Sequence, residues 1–92
     1  MMANWDKQLH DFGTVPKGSV LKTEFEYLGT KPIKEIEPTC NCVGYKLEGN
    51  CLQLKWNVKK DPVQSYQSSK VVMVVYSDDT LDDLTLTAYI QV

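Results

Sequence analysis

The sequence predicts an all-β fold, an immunoglobulin-like antiparallel β-sandwich of about seven strands. Apolar and polar residues alternate along most of the chain, which is the period of half-buried strands, and helical spacing is nearly absent. Turn signals containing glycine, proline or asparagine recur roughly every eight to twelve residues, as in sandwiches of short strands. A small closed β-barrel is the structural alternative.

Each strand is predicted from alternation between two turn signals. The clearest is residues 20–28, where Leu21, Phe25 and Tyr27 share one face and charged residues occupy the other. Glu48-Gly49-Asn50 predicts a tight hairpin, and residues 59–69 are polar and predict the longest loop. In the last strand the even-numbered residues from Leu84 onward are apolar and predict a core face. The predicted strands are residues 9–15, 20–28, 33–38, 43–47, 52–58, 70–76 and 84–92.

Length and charge restrict the classes of partner. The 92 residues are divided into an N-terminal arm, residues 1–8, and a single domain, residues 9–92. The formal net charge is −2 and no basic stripe stands out, so no nucleic-acid partner is expected. No apolar run approaches the roughly 20 residues that span a bilayer, so no membrane partner is expected either. The first residues lack the features of a secretory signal, so a reducing compartment and free thiols are expected.

Three cysteines, Cys40, Cys42 and Cys51, raise the question of thiol or metal chemistry. Free, partly buried thiols are the favoured interpretation. A disulfide from Cys51 to Cys40 or Cys42 stays open if the two segments pair across the Gly49 hairpin. No metal is expected, because the usual ligand spacing is missing.

Two other polar features are weaker candidates for chemistry. His10 beside Asp11 could form a catalytic pair, but a histidine at a strand edge is the simpler interpretation. Residues 77–83 contain four carboxylates that could bind calcium, yet the segment lacks the glycine and closing glutamate of a known calcium loop. A solvated hairpin tip is favoured there. We therefore expect no catalytic site, no cofactor and no small-molecule substrate.

Two apolar features predict protein binding. The arm carries Met1, Met2 and Trp5, which could anchor on a neighbour; a frayed terminus, or Trp5 folding back onto its own domain, is the alternative. The strand 70–76 is apolar on both faces, so if its odd-numbered residues face the core, its even-numbered residues face outward. That face could instead be covered by a loop or by the first strand. With the last strand, the outer patch would contain Val72, Val74, Tyr76, Thr85, Thr87 and Tyr89.

Three motifs in the right order resemble the ASH/Hydin-like immunoglobulin domains. His-Asp-Phe-Gly-Thr-Val at residues 10–15, then Gly18 and Phe-Glu-Tyr at residues 25–27, resemble the opening of these domains. Residues 33–42, which end in Pro-Thr-Cys-Asn-Cys, resemble the Pro-Ser-Cys-Gly-Cys signature of the bacterial and phage branch. Residues 76–86 resemble the closing hairpin of that branch.

The resemblance extends from about His10 to Val92, with two departures. Asn41 stands where the family has glycine, and Cys51 is additional within a shortened segment. The resemblance implies a binding or architectural module rather than an enzyme, and the short chain is similar to standalone members encoded by phages.

The first functional hypothesis is therefore a phage virion protein, a capsid decoration or cement protein that binds capsid or other virion subunits. It would be made in the host cytoplasm and located in the virion. The second is a bacterial adaptor, located in the cytoplasm, that binds a partner strand at a sheet edge. The third is a thiol-redox or metal protein that uses Cys40, Cys42 and Cys51.

Overall fold

The structure is a computed structural model that describes residues 4–92, and Met1 and Met2 lie outside the described residues. Within residues 4–92 the chain forms strands and no helix. The described residues therefore contain no helix that is long and apolar enough to cross a membrane. The strands are β1 (Leu9–Pro16), β2 (Val20–Glu26), β3 (Ile33–Pro38), β4 (Val43–Glu48), β5 (Cys51–Asn57), β6 (Tyr66–Tyr76) and β7 (Leu81–Gln91).

The strands form two sheets, in the order β1-β7-β6-β3 and β2-β5-β4. The three-stranded sheet and the β7-β6-β3 part of the other sheet follow the strand orders of an immunoglobulin sandwich. The predicted fold class is confirmed. One strand pair departs from the antiparallel expectation, because β1 runs parallel to β7.

The core lies between the sheets and contains the apolar face of each central strand. In β7 the even-numbered residues Leu84, Leu86, Ala88 and Ile90 are fully buried, as predicted. In β5, every second residue from Leu52 to Trp56 is buried against them. Because side chains alternate across a strand, this single apolar face per strand fixes which side of each sheet packs inward.

The prediction that Val72, Val74 and Tyr76 face outward is wrong. All three are at most 1% exposed and belong to the core. The pairing with β7 decides the orientation, since Val72 lies opposite the inward-facing Leu84. Because β6 is apolar on both faces, its own alternation does not indicate this orientation.

The prediction that Trp5 anchors on a neighbouring protein is also wrong. Trp5 is 1% exposed, forms an isolated antiparallel bridge with Tyr27, and packs its ring 5.0 Å from that of Tyr27. Its indole Nε1–H donates to Tyr76 Oη at 2.8 Å. The described part of the arm is therefore held on the sandwich, as the folding-back alternative required.

The hairpin between β6 and β7 is longer than predicted. β6 begins at Tyr66 and not at Lys70, because Gln67 and Ser68 pair with β7 although they have no apolar alternation of their own. β7 begins at Leu81, so Asp82 lies in a strand and accepts a hydrogen bond from the Tyr76 hydroxyl at 2.6 Å. The acidic turn is correspondingly shorter.

Candidate protein-binding site

The two sheets end in four strand edges, and three of them carry features that discourage pairing with another chain. β1 contains a bulge between Asp11 and Thr14, and β3 contains a bulge between Ile33 and Glu35. Prolines close both strands, at Pro16 and Pro38. Bulges and prolines are the common devices by which proteins block an open edge.

The third edge, on β2, is partly covered by the N-terminal segment. The Glu26 N–H donates to the Asp6 carboxylate at 2.9 Å, and the Asp6 N–H donates to the Glu26 carbonyl at 3.0 Å. The Leu28 N–H also donates to the Asn4 carbonyl. Further along β2, the exposed side chains include Lys22 and Glu24, and charge on an edge strand opposes pairing.

The fourth edge, the unpaired side of β4, has no bulge, proline or covering segment, and of the features above it carries only charge, at Lys46 and Glu48. The β4–β5 register is unbroken from Val43 to Glu48, and β4 contains no proline. Among residues 4–92 no strand pairs with the other side of β4. We refer to this side as the β4 edge.

Alternation along the β4–β5 ladder identifies the backbone groups that point to the β4 edge. Asn57 N–H donates to the Cys42 carbonyl at 2.9 Å, so Gly44, Lys46 and Glu48 also direct their backbone groups toward β5. Tyr45 and Leu47 therefore direct their N–H and C=O groups outward. Each has one donor and one acceptor available for another strand.

The side chains of Tyr45 and Leu47 lie on the inner face of their sheet, opposite Leu54 and Leu52. Nevertheless they are 50% and 37% exposed, because the sandwich is open on this side. Across the opening lie Ile33 and Ile36 of β3, which together with Tyr45 and Leu47 line a shallow groove. The charged residues Lys34, Glu35 and Glu37 of β3 also line it. The core is thus incomplete at the same edge where the backbone is unpaired.

The outer face of the same sheet is depressed around Gly44. The register places Gly44, Lys55 and Lys22 in one row across β4, β5 and β2. Lys46, the next residue of β4 on this face, also lines the depression. The surface beside the β4 edge is therefore basic.

The turn that leads into β4 contains a disulfide between Cys40 and Cys42, whose Cα atoms are 5.2 Å apart. This contradicts the expectation of three free thiols. The Val43 N–H donates to the Cys40 carbonyl, so the bridged turn also positions the first residue of β4.

The alternative of a disulfide to Cys51 is wrong as well. Cys51 is a free thiol that lies opposite Glu48, at the far end of the hairpin from Cys42. Cys42 pairs with Asn57, six positions further along β5, which corresponds to about 20 Å. A disulfide requires Cα atoms within about 7 Å of each other.

The environment of Cys51 opposes thiolate formation. Its pKa is raised by burial and by the carboxylates of Glu24, Glu48 and Glu26. A thiol with a raised pKa is a poor nucleophile and a poor metal ligand at neutral pH. Among residues 4–92 no three His, Cys, Asp or Glu side chains lie close enough to share a metal ion.

His10 is far from the cysteine pair. It lies on β1, at the opposite edge of the four-stranded sheet from β3. Its Nδ1 is 2.9 Å from the Lys7 ammonium, and its pKa is lowered by burial and by that positive charge, against an opposing effect of Asp11. It does not provide a base for thiol chemistry at Cys40 or Cys42.

The acidic turn is neutralised within the chain. Lys31 Nζ lies 2.9 Å from Asp78 Oδ2, and Lys34 Nζ lies 3.1 Å from Asp79 Oδ1. Hydrogen bonds from Thr80 and Lys31 lower the pKa of Asp78 to about 2. Asp78 and Asp79 therefore have lysine partners inside the protein, and Asp82 accepts from the Tyr76 hydroxyl.

The outer face of the four-stranded sheet does carry apolar residues: Thr85, Thr87 and Tyr89 of the predicted patch lie on it, but on β6 the odd-numbered residues take the place of the predicted Val72, Val74 and Tyr76. Val71, Met73 and Val75 are half-buried there, and Tyr89 of the predicted patch is 41% exposed. The strands that carry these residues, β6 and β7, already pair with a neighbouring strand on both sides. This surface offers contact area without an open strand edge.

Sequence reasoning placed Val43, Tyr45 and Leu47 on one face, which the register confirms, but did not single them out as a site. No local signal distinguishes an edge strand from a central one, because that distinction depends on the order of strands in the sheet. The hairpin turn at Gly49 and the connection after Pro38 are the sequence features that bear on the order of the strands.

In comparisons with known proteins, no family model matches this chain and no curated sequence matches it.

Proposed function

We propose that this protein is a non-enzymatic binding module that accepts an extended strand of a partner protein at the β4 edge. The observation that carries the proposal is the coincidence at Tyr45 and Leu47. Both residues have outward-directed backbone groups and exposed apolar side chains at an opening in the core. Strand addition uses both: backbone hydrogen bonds supply affinity, and alternate side chains enter pockets.

The interaction is of modest strength. An added strand would bond to the N–H and C=O groups of Tyr45 and Leu47, and each bond contributes about 0.5–1.5 kcal/mol net. Its inward side chains would cover the apolar residues of the groove between β4 and β3, which are Ile33, Ile36, Tyr45 and Leu47. Association costs offset much of this gain. Such a site suits a protein present in many copies on one assembly, where several weak contacts act together.

The resemblance to phage-encoded members of the ASH/Hydin-like family indicates the assembly. We propose a phage virion, with this chain as a decoration or cement protein that binds capsid or other virion subunits. Because Trp5, Val72, Val74 and Tyr76 are buried, the contact in this proposal is the β4 edge rather than the arm or the even-numbered face of β6. A bacterial adaptor would use the same edge, with a single soluble partner.

The test introduces proline at an outward-facing backbone position. Leu47→Pro removes an N–H that is not bonded to β5 and places its ring in the path of an added strand, so the hairpin survives. Val20→Pro is the matched control, since alternation along β2 directs its N–H outward on the opposite edge of the same sheet. Circular dichroism checks that both variants are folded.

Size-exclusion chromatography of native lysate then reports assembly. We expect the natural protein and Val20→Pro to comigrate with megadalton particles, and Leu47→Pro to elute as a free 10.5 kDa chain. If the natural protein elutes in a complex of intermediate size and Leu47→Pro does not, the result indicates a bacterial adaptor with a single soluble partner. A folded Leu47→Pro that assembles fully refutes strand addition at this edge.

A further inference from the structure

A basic surface borders the β4 edge on the outer face of the three-stranded sheet. Lys22 and Lys55 are exposed, lie side by side in the register, and form no ion pair with another described residue. Lys46 is paired with Glu48 at 2.6 Å, and that pair is largely exposed to solvent. Glu24 also lines this depression, so its three lysines are accompanied by Glu24 and by Glu48 beside Lys46, and Lys22 and Lys55 are left without an ion-pair partner among the described residues.

Gly44 leaves the row of Lys55 and Lys22 open at the edge. A Cβ atom added at Gly44 would meet nothing within 4 Å. Neighbouring strands are about 4.8 Å apart, so a strand added to β4 lies two strand spacings from β5. With no side chain on Gly44, a long acidic side chain on that added strand can extend across the glycine toward the Lys55 ammonium.

We infer that the partner strand alternates apolar and acidic residues, with its carboxylates opposite Gly44 and Lys46. This inference rests on the strand addition proposed above. Inward positions, opposite Tyr45 and Leu47, take apolar side chains that cover the groove toward Ile36. Outward positions carry the carboxylates, which bind Lys55 across Gly44 and compete with Glu48 for Lys46.

The acidic pattern ends at the row of Glu48. That row contains Glu26, Cys51 and Glu48, and Asp6 lies close to it. A carboxylate on the partner strand opposite Glu48 would face like charges, which destabilise a cross-strand pair. On its outward face, the partner strand therefore carries acidic residues opposite Gly44 and Lys46 and a neutral residue opposite Glu48.

A second copy of this chain is a poor occupant of the same edge in the register that opposes Lys46 to Gly44. In a twofold antiparallel pairing centred on Tyr45, each Lys46 would lie opposite the Gly44 of the other copy. It would then approach Lys55 and add a fourth lysine to the basic surface. In this register charge favours an acidic partner over self-association, whereas a pairing centred on Leu47 would place Lys46 opposite the Glu48 of the other copy.

Three synthetic peptides test the inference on the intact protein. They are Thr-Val-Glu-Val-Glu-Val-Thr, its glutamine form and its lysine form, which share the same apolar positions. Binding is measured by NMR titration, with the amide resonances of Tyr45 and Leu47 as reporters. We expect the glutamate peptide to bind about tenfold more tightly than the glutamine peptide, with the lysine peptide weakest, and the difference to shrink in high salt because these charges are exposed.

Two charge-reversal variants provide the controls. Lys55→Glu should abolish the preference for the glutamate peptide, whereas Lys59→Glu, the same change in the exposed loop after β5, should preserve it. Equal binding of all three peptides at the β4 edge overturns the acidic partner while strand addition stands. Binding of none of them to the folded protein counts against strand addition itself, and the inference fails with it.

Discussion

Trp5 donates its indole N–H to the hydroxyl of Tyr76 at 2.8 Å, which joins the segment before β1 to the end of β6. The same hydroxyl donates to Asp82 on β7, and Asp82 also accepts from the side chain of Asn4 at 3.0 Å. Both Trp5 and Tyr76 are almost fully buried. The segment that contains Asn4 and Trp5 is therefore part of the packed domain.

Removing the Trp5 side chain should destabilise the domain strongly. We expect Trp5→Ala to lower the free energy of unfolding by about 3–5 kcal/mol, because a large buried side chain is replaced by a cavity. Trp5→Phe, which keeps much of the packing but loses the donor to Tyr76, should cost less. Urea denaturation followed by circular dichroism measures both. A loss below about 1 kcal/mol for Trp5→Ala would show that this residue is not in the core.

The Cys40–Cys42 disulfide should be detectable by counting thiols. Cys51 is the free cysteine of the described chain, so alkylation of the unfolded protein should modify one cysteine before reduction and three after it. Because the closed loop is very short, the chain-entropy gain is only about 1.6 kcal/mol. The double variant Cys40→Ala/Cys42→Ala should therefore stay folded. Three thiols modified without reductant, in protein purified in air, would contradict this pairing.

Alkylation of Cys51 should be slow at neutral pH. Burial and the nearby carboxylates raise its pKa, so at any pH below that pKa the reactive thiolate fraction is smaller than for an ordinary cysteine. The rate of modification by iodoacetamide should rise with pH. The pH at which the rate is half-maximal should lie above the pKa of an ordinary cysteine. Glu24→Gln should lower the midpoint, and Lys59→Gln in a distant loop should not. A midpoint at or below that of free cysteine would refute this effect of the surroundings.

Substitution at Tyr45 should separate binding from stability. Its side chain is half exposed, so Tyr45→Thr keeps a good strand former and should change the free energy of unfolding by only about 0.5 kcal/mol. The same change should weaken binding of the glutamate peptide, because a side chain lining the groove is lost. Leu54→Ala, at the buried position opposite Tyr45, is the contrasting variant and should destabilise the fold by about 2–5 kcal/mol. A large destabilisation by Tyr45→Thr would place this residue in the core.

The fold was largely predictable from sequence because most strands have one apolar face. In β2 and β7 that face identified both the strand and its orientation, and both agree with the structure. The orientation of β6 was predicted wrongly because Val71 and Val72 are equally apolar. Only the position of Leu84 across the strand pair distinguishes them. The orientation of β6 is set by its register with another strand. The alternation of residues within β6 carries no information about that register.

The candidate site was less predictable because its properties are long-range. Tyr45 and Leu47 form an ordinary alternating pattern, and their exposure results from the absence of a strand beyond β4 in the described chain. The sequence left the packing of Trp5 on its own domain as an alternative for a related reason, since its contacts are to residues far along the chain. The cysteine pairing was missed because only bridges to Cys51 were considered.

Amide hydrogen exchange in β4 tests the central claim most directly. In the free protein the amides of Gly44, Lys46 and Glu48 should be protected by β5, while those of Tyr45 and Leu47 exchange rapidly. With saturating glutamate peptide, the Tyr45 and Leu47 amides should become protected, so that protection runs through all five residues. If these two amides still exchange rapidly while the peptide is bound, strand addition at the β4 edge is contradicted.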